Sequence, residues 1–268
     1  MKNKKNVSVA IPTYNSSKYL ESCIKPILKS KYVDEIIICD DFSNRQNVEN
    51  QITLINALKK KTNIQIKSSF NKKNIGAFKN KYICISNCKN EIVYQIDSDN
   101  IPQKNIDKIF SKIIRLNEKN NLFLPSKIFQ FRKSHKIAKN LSFFDSKYIV
   151  TFSKSDKLIN LDTIQDFYKN KTPHTIDKNL SWVLNLGNFI THKETYLNFF
   201  DDLMKIEDIP LSADALGISY FFIKNGGDIK LLENFYHFHR KREDSISFTE
   251  GNKTDKSFDY FKNEFLNL

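Results

Sequence analysis

Through the first 120 residues, short β-branched runs alternate with longer amphipathic stretches. Val7 to Ile11, Glu35 to Cys39, Ile64 to Lys67 and Glu91 to Ile96 are apolar runs of strand length. Tyr19 to Ser30, Val48 to Lys60, Ala77 to Cys88 and Gln103 to Asn117 carry apolar residues at helical spacing. Strand and helix in strict turn predict a mostly parallel sheet covered by helices, an α/β fold. Pro12 lacks an N–H and predicts that the first strand stops before it. After about Leu122 the pattern loosens into aromatic-rich pieces such as Phe129 to Phe131 and Leu141 to Phe144, and no element is predicted between Ser134 and Asn179. Order returns at Val183 to Phe189, in a helix from Ala213 to Asn225 ended by Gly226 and Gly227, and in a strand from Ile229 to Leu232. Phe258, Phe261, Phe265 and Leu268 share one helical face, which predicts a terminal helix docked on the core, with a dimer contact or a membrane-surface helix as alternatives. Neither a repeat nor a linker interrupts the chain, so residues 1–120 and 121–268 read as two halves of one domain.

Composition narrows the class. With 268 residues, 40% hydrophobic and 13% aromatic, the chain can bury a sizeable core and is far from the profile of disorder. The formal charge of +13 calls for an anionic partner or surface. Its lysines are scattered, as at Lys59 to Lys61 and Lys72 to Lys73, and no zinc-finger, RNP or helix-turn-helix signature is present, so nucleic acid is not an expected partner. Cys23, Cys39, Cys84 and Cys88 form no CxxC pair and read as reduced core thiols. No apolar run nears the roughly 18 residues of a membrane span, and the start does not resemble a signal peptide, so a cytoplasmic location is expected.

The chemistry concentrates where the fourth apolar run ends, at Asp97-Ser98-Asp99-Asn100. Two carboxylates one residue apart repel unless a cation lies between them, and hard oxygen donors suit Mg²⁺ or Mn²⁺. The same residue types also serve as turns and helix caps. In a doubly wound sheet the C-terminal ends of neighbouring strands open into one crevice. Pro12-Thr13-Tyr14-Asn15, Asp40-Asp41-Phe42-Ser43 and Asp97 to Asn100 should therefore meet. The chain has neither GxGxxG after its first strand nor GxxxxGK[ST] anywhere, which argues against dinucleotide-binding and P-loop enzymes. An acidic crevice can take a nucleoside diphosphate only together with a divalent ion.

Four segments, VSVAIPTYNSSKYLESCI, EIIICDDFSN, NIGAFKNKYICI and IDSDNIP, follow one another across the first 110 residues. In order and spacing they resemble the inverting nucleotide-sugar glycosyltransferases of family 2. The resemblance implies the GT-A fold: a Rossmann-like, mostly parallel central sheet flanked by helices, with a smaller acceptor-side second half. It implies that Tyr14 packs on the nucleotide base beside Pro12, that Asp41 hydrogen-bonds the base, and that Asp40 shapes the turn. Asn74 and Gly76 would line the ribose and diphosphate, Asp97 would reach ribose or metal through water, and Asp99 would ligate Mn²⁺ or Mg²⁺.

In the second half, family members carry a Glu-Asp pair opening a helix, with the Asp as catalytic base. Here the pair reads Ala213-Asp214, so Asp214 is the implied base without the supporting Glu, with a helix-opening Asp as the alternative. His239, followed by Arg240, Asp244 and Ser245, is the implied further metal or diphosphate contact, with His237 in reserve. Gly187 and Asn188 resemble the acceptor-side turn, with Trp182 and Asp177 beside it, although a tryptophan more often packs in a core. The implied partners are a nucleoside-diphosphate sugar, a UDP-sugar first, and a saccharide or lipid-linked saccharide acceptor in bacterial capsule or lipopolysaccharide synthesis. Contact with an anionic membrane and homo-oligomerisation are left open. The alternatives are a non-catalytic nucleotide- or glycan-binding protein on the same fold and a sugar-phosphate nucleotidyltransferase.

Overall fold

In the computed structural model, which describes residues 7–131, 148–170, 180–201, 214–241 and 251–268, the first four strands are parallel. They are β1 (Val7–Thr13), β2 (Val33–Asp40), β3 (Gln65–Phe70) and β4 (Ile92–Gln95), in the order β3-β2-β1-β4. Helices α1 (Ser17–Ile24), α2 (Arg45–Lys59), α3 (Ala77–Ser86) and α4 (Ile106–Leu116) connect or follow them. The alternation of side chains along a strand divides the core in two. Val7, Val9 and Ile11 pack with Leu20, Ile55 and Ile109 from α1, α2 and α4. Ala10, Ile37 and Cys39 pack on the other face with Phe78 and Cys84 of α3. Burial on both faces explains why β1 and β2 read as unbroken apolar runs.

Pro12 lies inside β1, not after it, paired with Cys39 of β2. Ala10 accepts from Ile96 N on the β4 side, so Pro12, two residues on, turns its missing N–H to that side, past the last β4 pairing at Gln95. The first helix is shorter than predicted. It ends at Ile24, and a 3₁₀ turn at Ile27–Lys29 follows Pro26, which cannot supply a helical hydrogen bond.

Beyond β4 the sheet continues through β9 (Phe189–His192), β6 (Asn121–Phe131), β10 (Asp228–Arg240) and β5 (Ile101–Pro102). Strand β9 runs antiparallel to β4 and β6, whereas β10 is parallel to β6. Strands β7 (Tyr148–Thr151) and β8 (Lys157–Ile159) pair with β6 and β10, and with α5 (Leu161–Asn170) they occupy a region where no element was predicted. Helices α6 (Leu180–Leu184), α7 (Lys193–Phe200), α8 (Asp214–Lys224) and α9 (Gly251–Asn267) complete the described elements.

The strand predicted at Ile229 to Leu232 is the start of a 13-residue β10. Its register shifts between Leu232 and Tyr236, and Asn234 takes φ +63°, a bulge that breaks the period. The shift falls opposite Pro125 of β6, which has no N–H to offer. Past the bulge, His237 and Phe238 pair with Pro102 and Ile101 of β5, which brings the end of β10 beside the Asp97 to Asn100 loop. The terminal helix docks on the core as expected: Phe261 and Phe265 are fully buried, and Leu268 is exposed.

Candidate active site

The strand-end loops are sewn together by hydrogen bonds. Asn15 N donates to Ser43 Oγ at 2.7 Å, and Asn44 N donates to Asn15 Oδ1 at 2.9 Å, joining the loops after β1 and β2. A run of buried hydroxyls, Thr13 to Ser16 to Ser98 with both gaps 2.7 Å, joins the loop after β1 to the Asp97–Asp99 segment. Asp41 is buried and accepts from Asn71 Nδ2 (3.0 Å), Ile75 N (2.9 Å) and Gly76 N (2.9 Å), which ties the loop after β3 to the same point. Asp40 accepts from Ser43 N and Ser43 Oγ, each at 2.7 Å, and shapes the turn. Gly76 stands at φ +86° with open space where a Cβ would go, so backbone conformation is what requires glycine there. Tyr14 and Phe42 stay half exposed beside these loops, Phe42 in the left-handed region at φ +67°.

Asp97 and Asp214 meet on one buried cation. Lys81 Nζ of α3 lies 3.2 Å from Asp97 Oδ1 and 2.5 Å from Asp214 Oδ2, with its side chain 5% exposed. The Asp214 contact is an ion pair without hydrogen-bond alignment. Asp97 Oδ1 also accepts from Gln95 Nε2 at 3.2 Å, and Asp97 N donates to Asn188 Oδ1 at 2.8 Å. A Cβ on Gly187 would fall 2.5 Å from Asp97 Oδ2 and 3.0 Å from Lys81 Nζ, so any larger residue would displace the ends of both side chains. Asp214 opens α8, whose residues Ala215 to Ile223 are all buried, so the carboxylate sits on a helix fixed within the core. Arg240 braces Asp99: Nε donates to Asp99 O at 3.0 Å and N to Asn100 Oδ1 at 3.1 Å, while the guanidinium lies 4.5 Å and 4.6 Å from the ring centres of Tyr19 and Phe131.

Burial, and then the neighbouring carboxylates Asp214 and Asp99, hold the Asp97 proton affinity above the usual carboxylate range despite Lys81. Burial opposes the Lys81 charge, yet Asp214 and Asp97 outweigh it and keep the amine protonated well beyond its ordinary range. His239 lies in the field of Asp99 and Asp97, and burial holds its imidazole neutral, the form that ligates metals. His237 is more deeply buried, with both ring nitrogens unpartnered among the described residues, its ring centre 5.8 Å from that of His239. Among the described residues no three His, Cys, Asp or Glu side chains gather as a metal cluster. Asp99 and His239 carry oxygen and imidazole donors of the kinds that divalent ions accept.

The family model for Glycosyl transferase family 2 matches residues 8–159. The chain belongs to glycosyl transferase family 2. A curated family relative, Glycosyltransferase GlyG of Streptococcus pneumoniae, is 34% identical over 110 residues. That match covers 40% of this chain and 35% of the relative, so the chain spans about a third of that protein's length. Among solved structures, Staphylococcus aureus TarS 1–349 in complex with UDP-GlcNAc superposes with TM-score 0.60 at 18% identity, over 98% of this chain and 72% of that one. GalNAc-T7 with UDP, GalNAc and Mn²⁺ superposes with TM-score 0.57 at 14% identity, over 97% of this chain and 50% of that one. These likenesses show the GT-A fold.

Within this glycosyl transferase family 2 chain, Tyr14, Asp41, Asn74, Gly76, Asp97 and Asp99 come from the joined loops and Pro12 from the end of β1 beside them, while Lys81 links Asp214 to Asp97 and Gly187 lies against Asp97. Of the residues expected on the acceptor side, Asn188 is 1% exposed and accepts a hydrogen bond from Asp97 N. Trp182 is 47% exposed on α6, which removes the core reading. Asp177, Ala213, Asp244, Ser245 and residues 141–144 lie outside the described residues. Lys81 and the bracing role of Arg240 were missed. A lysine on the mostly apolar inward face of α3, three residues after Phe78 and before Cys84 and Ile85, was the available signal.

Proposed function

We propose that the protein transfers a sugar from a nucleoside-diphosphate sugar, a UDP-sugar first, to a hydroxyl of a saccharide acceptor, with inversion at the anomeric carbon. The observation that carries this reading is the shared Lys81 contact, which puts Asp214 and the first Asp of Asp97-Ser98-Asp99 in one crevice. Tyr14 offers an exposed ring for the base, and Asn74 and Gly76 border the ribose side. Asp214 takes the proton from the acceptor hydroxyl as that oxygen bonds to the anomeric carbon and the bond to the diphosphate breaks. General bases contribute roughly 10²–10⁴-fold. A divalent ion bound by Asp99 and His239 would supply Lewis-acid compensation for the charge on the departing diphosphate. Residues 1–120 form the donor half and residues 121–268 the half bearing the base and acceptor side. The charge of +13 favours an anionic or lipid-linked acceptor, as in surface polysaccharide synthesis. TarS bound to UDP-GlcNAc and GalNAc-T7 bound to UDP and Mn²⁺ support the donor class and the metal.

The test is a thermal-shift panel of UDP, GDP, CDP and dTDP, each with and without Mn²⁺, followed by turnover of the matching sugar donors. One nucleotide should raise the melting temperature by several degrees in a metal-dependent way, since ligand at about 100 times its dissociation constant adds roughly 2.7 kcal/mol. Asp214→Asn should keep that shift and lose about 10²–10⁴-fold in turnover. A flat panel would defeat the reading.

A further inference from the structure

Lys81 is a buried ammonium placed between two carboxylates that the proposed chemistry assigns to different tasks. Its side chain is 5% exposed, its contact with Asp214 Oδ2 (2.5 Å) is shorter than that with Asp97 Oδ1 (3.2 Å), and Gly187 makes room for both ends of the pair, since a Cβ there would fall 2.5 Å from Asp97 Oδ2 and 3.0 Å from Lys81 Nζ. Burying a lysine is costly unless it is paired, and here both partners lie in the crevice. The opening of α8 and the end of β4 are thereby held at a fixed separation. Lys81 and Gln95 Nε2 both hold Asp97 Oδ1, and an ammonium at that carboxylate repels a second cation there, which leaves direct ligation to Asp99.

We propose that Lys81 is a positioning residue that ties the base Asp214 to Asp97, leaving Asp214 Oδ1 to take the proton and withholding Asp97 from direct metal ligation. This inference rests on the glycosyl-transfer reading given above. It predicts two effects of Lys81→Met, one of them independent of turnover. First, Mn²⁺ alone, without nucleotide, should bind at least about fivefold more tightly, measured by the electron paramagnetic resonance signal of the free ion, because Asp97 loses its counter-ion. Second, turnover of the sugar donor chosen by the nucleotide panel should fall about 100-fold while UDP affinity is not weakened. The double variant Lys81→Met/Asp214→Asn should be no more than about twofold slower than Asp214→Asn, because Lys81 acts through that base.

Unchanged or weaker Mn²⁺ binding in Lys81→Met, or losses that multiply in the double variant, would overturn the inference while leaving the glycosyl-transfer reading in place. Wild-type turnover in Asp214→Asn alone would sink the base assignment and this inference with it. Where the Met variant does not fold, Lys81→Gln carries the same two measurements.

Discussion

Asp41 follows β2 and Asp97 follows β4, and each carboxylate is the anchor of its end of the crevice, but they are held by different means. Asp41 is met by neutral donors: two backbone N–H groups and one amide. Asp97 is met by an ammonium it shares with Asp214 and by the amide of Gln95. Neutral donors satisfy a carboxylate and fix a loop, so this end of the crevice is held by backbone and amide hydrogen bonds alone. Two carboxylates share one buried ammonium, so this end of the crevice is held by charge, and burial works against the Asp97 and Lys81 charges.

The sharpest way to separate the two ends is to remove a carboxylate from each. Asp99→Asn should cut turnover by about 10²-fold or more, judging from metal-site changes that cost 10–100-fold even outside the ligand shell. It should also abolish the Mn²⁺-dependent part of the nucleotide thermal shift while leaving the ligand-free melting temperature nearly unchanged. If Mn²⁺ still raises the shift in this variant, the metal does not depend on Asp99, and the contrast between the two ends loses its chemical meaning.

The opposite pattern is expected at the other end. Asp41→Asn places an amide where Gly76 N, Ile75 N and the Asn71 amide all donate, so at least one donor loses its acceptor. The cost is about 2 kcal/mol, or roughly 5 °C in melting temperature for a chain of this size. That loss should be the same with and without Mn²⁺. A metal-dependent loss would show that Asp41 belongs to the charged end after all.

The same contrast accounts for what could be read from the sequence. The neutral end is local: β1 to β4 and their helices alternate regularly, and Asp40, Asp41, Asn74 and Gly76 sit in short segments after apolar runs. The charged end is assembled from distant pieces, and its supports are less visible. Lys81 lies on a helix whose other inward positions are Phe78, Asn80, Cys84 and Ile85, and beside Lys79 in sequence it reads as one of many surface lysines. His237, His239 and Arg240 follow a bulge that splits β10 into two unconvincing fragments. Strand β6 is buried on both faces for most of its length, so it shows no period-two signal to mark it as a strand. Asn188 resembled an acceptor-side residue because its neighbours in sequence are apolar on one side and a glycine on the other. Only the fold shows that its amide turns back to Asp97.

A third carboxylate lies at the opposite end of β2 and isolates the effect of a charged partner without metal or substrate. Glu35 is fully buried and accepts from Ser8 Oγ (2.8 Å), Lys89 N (2.8 Å) and Lys67 Nζ (3.2 Å). Burial raises its proton affinity, but the hydrogen bonds from Lys89 N, Ser8 and Lys67 outweigh burial and hold the carboxyl below its usual range. A carboxyl with a depressed folded-state pKa contributes stability that is present above its unfolded pKa, near 4.5, and is lost as pH falls through the folded value. Glu35→Gln should therefore cost about 1 kcal/mol at pH 7, and the gap from wild type should narrow as pH falls below about 4.5. Urea unfolding of both proteins between pH 7 and pH 3, in buffer free of divalent ions, measures that gap. If it stays constant across the range, Glu35 is held by shape alone and its ion pair with Lys67 adds nothing.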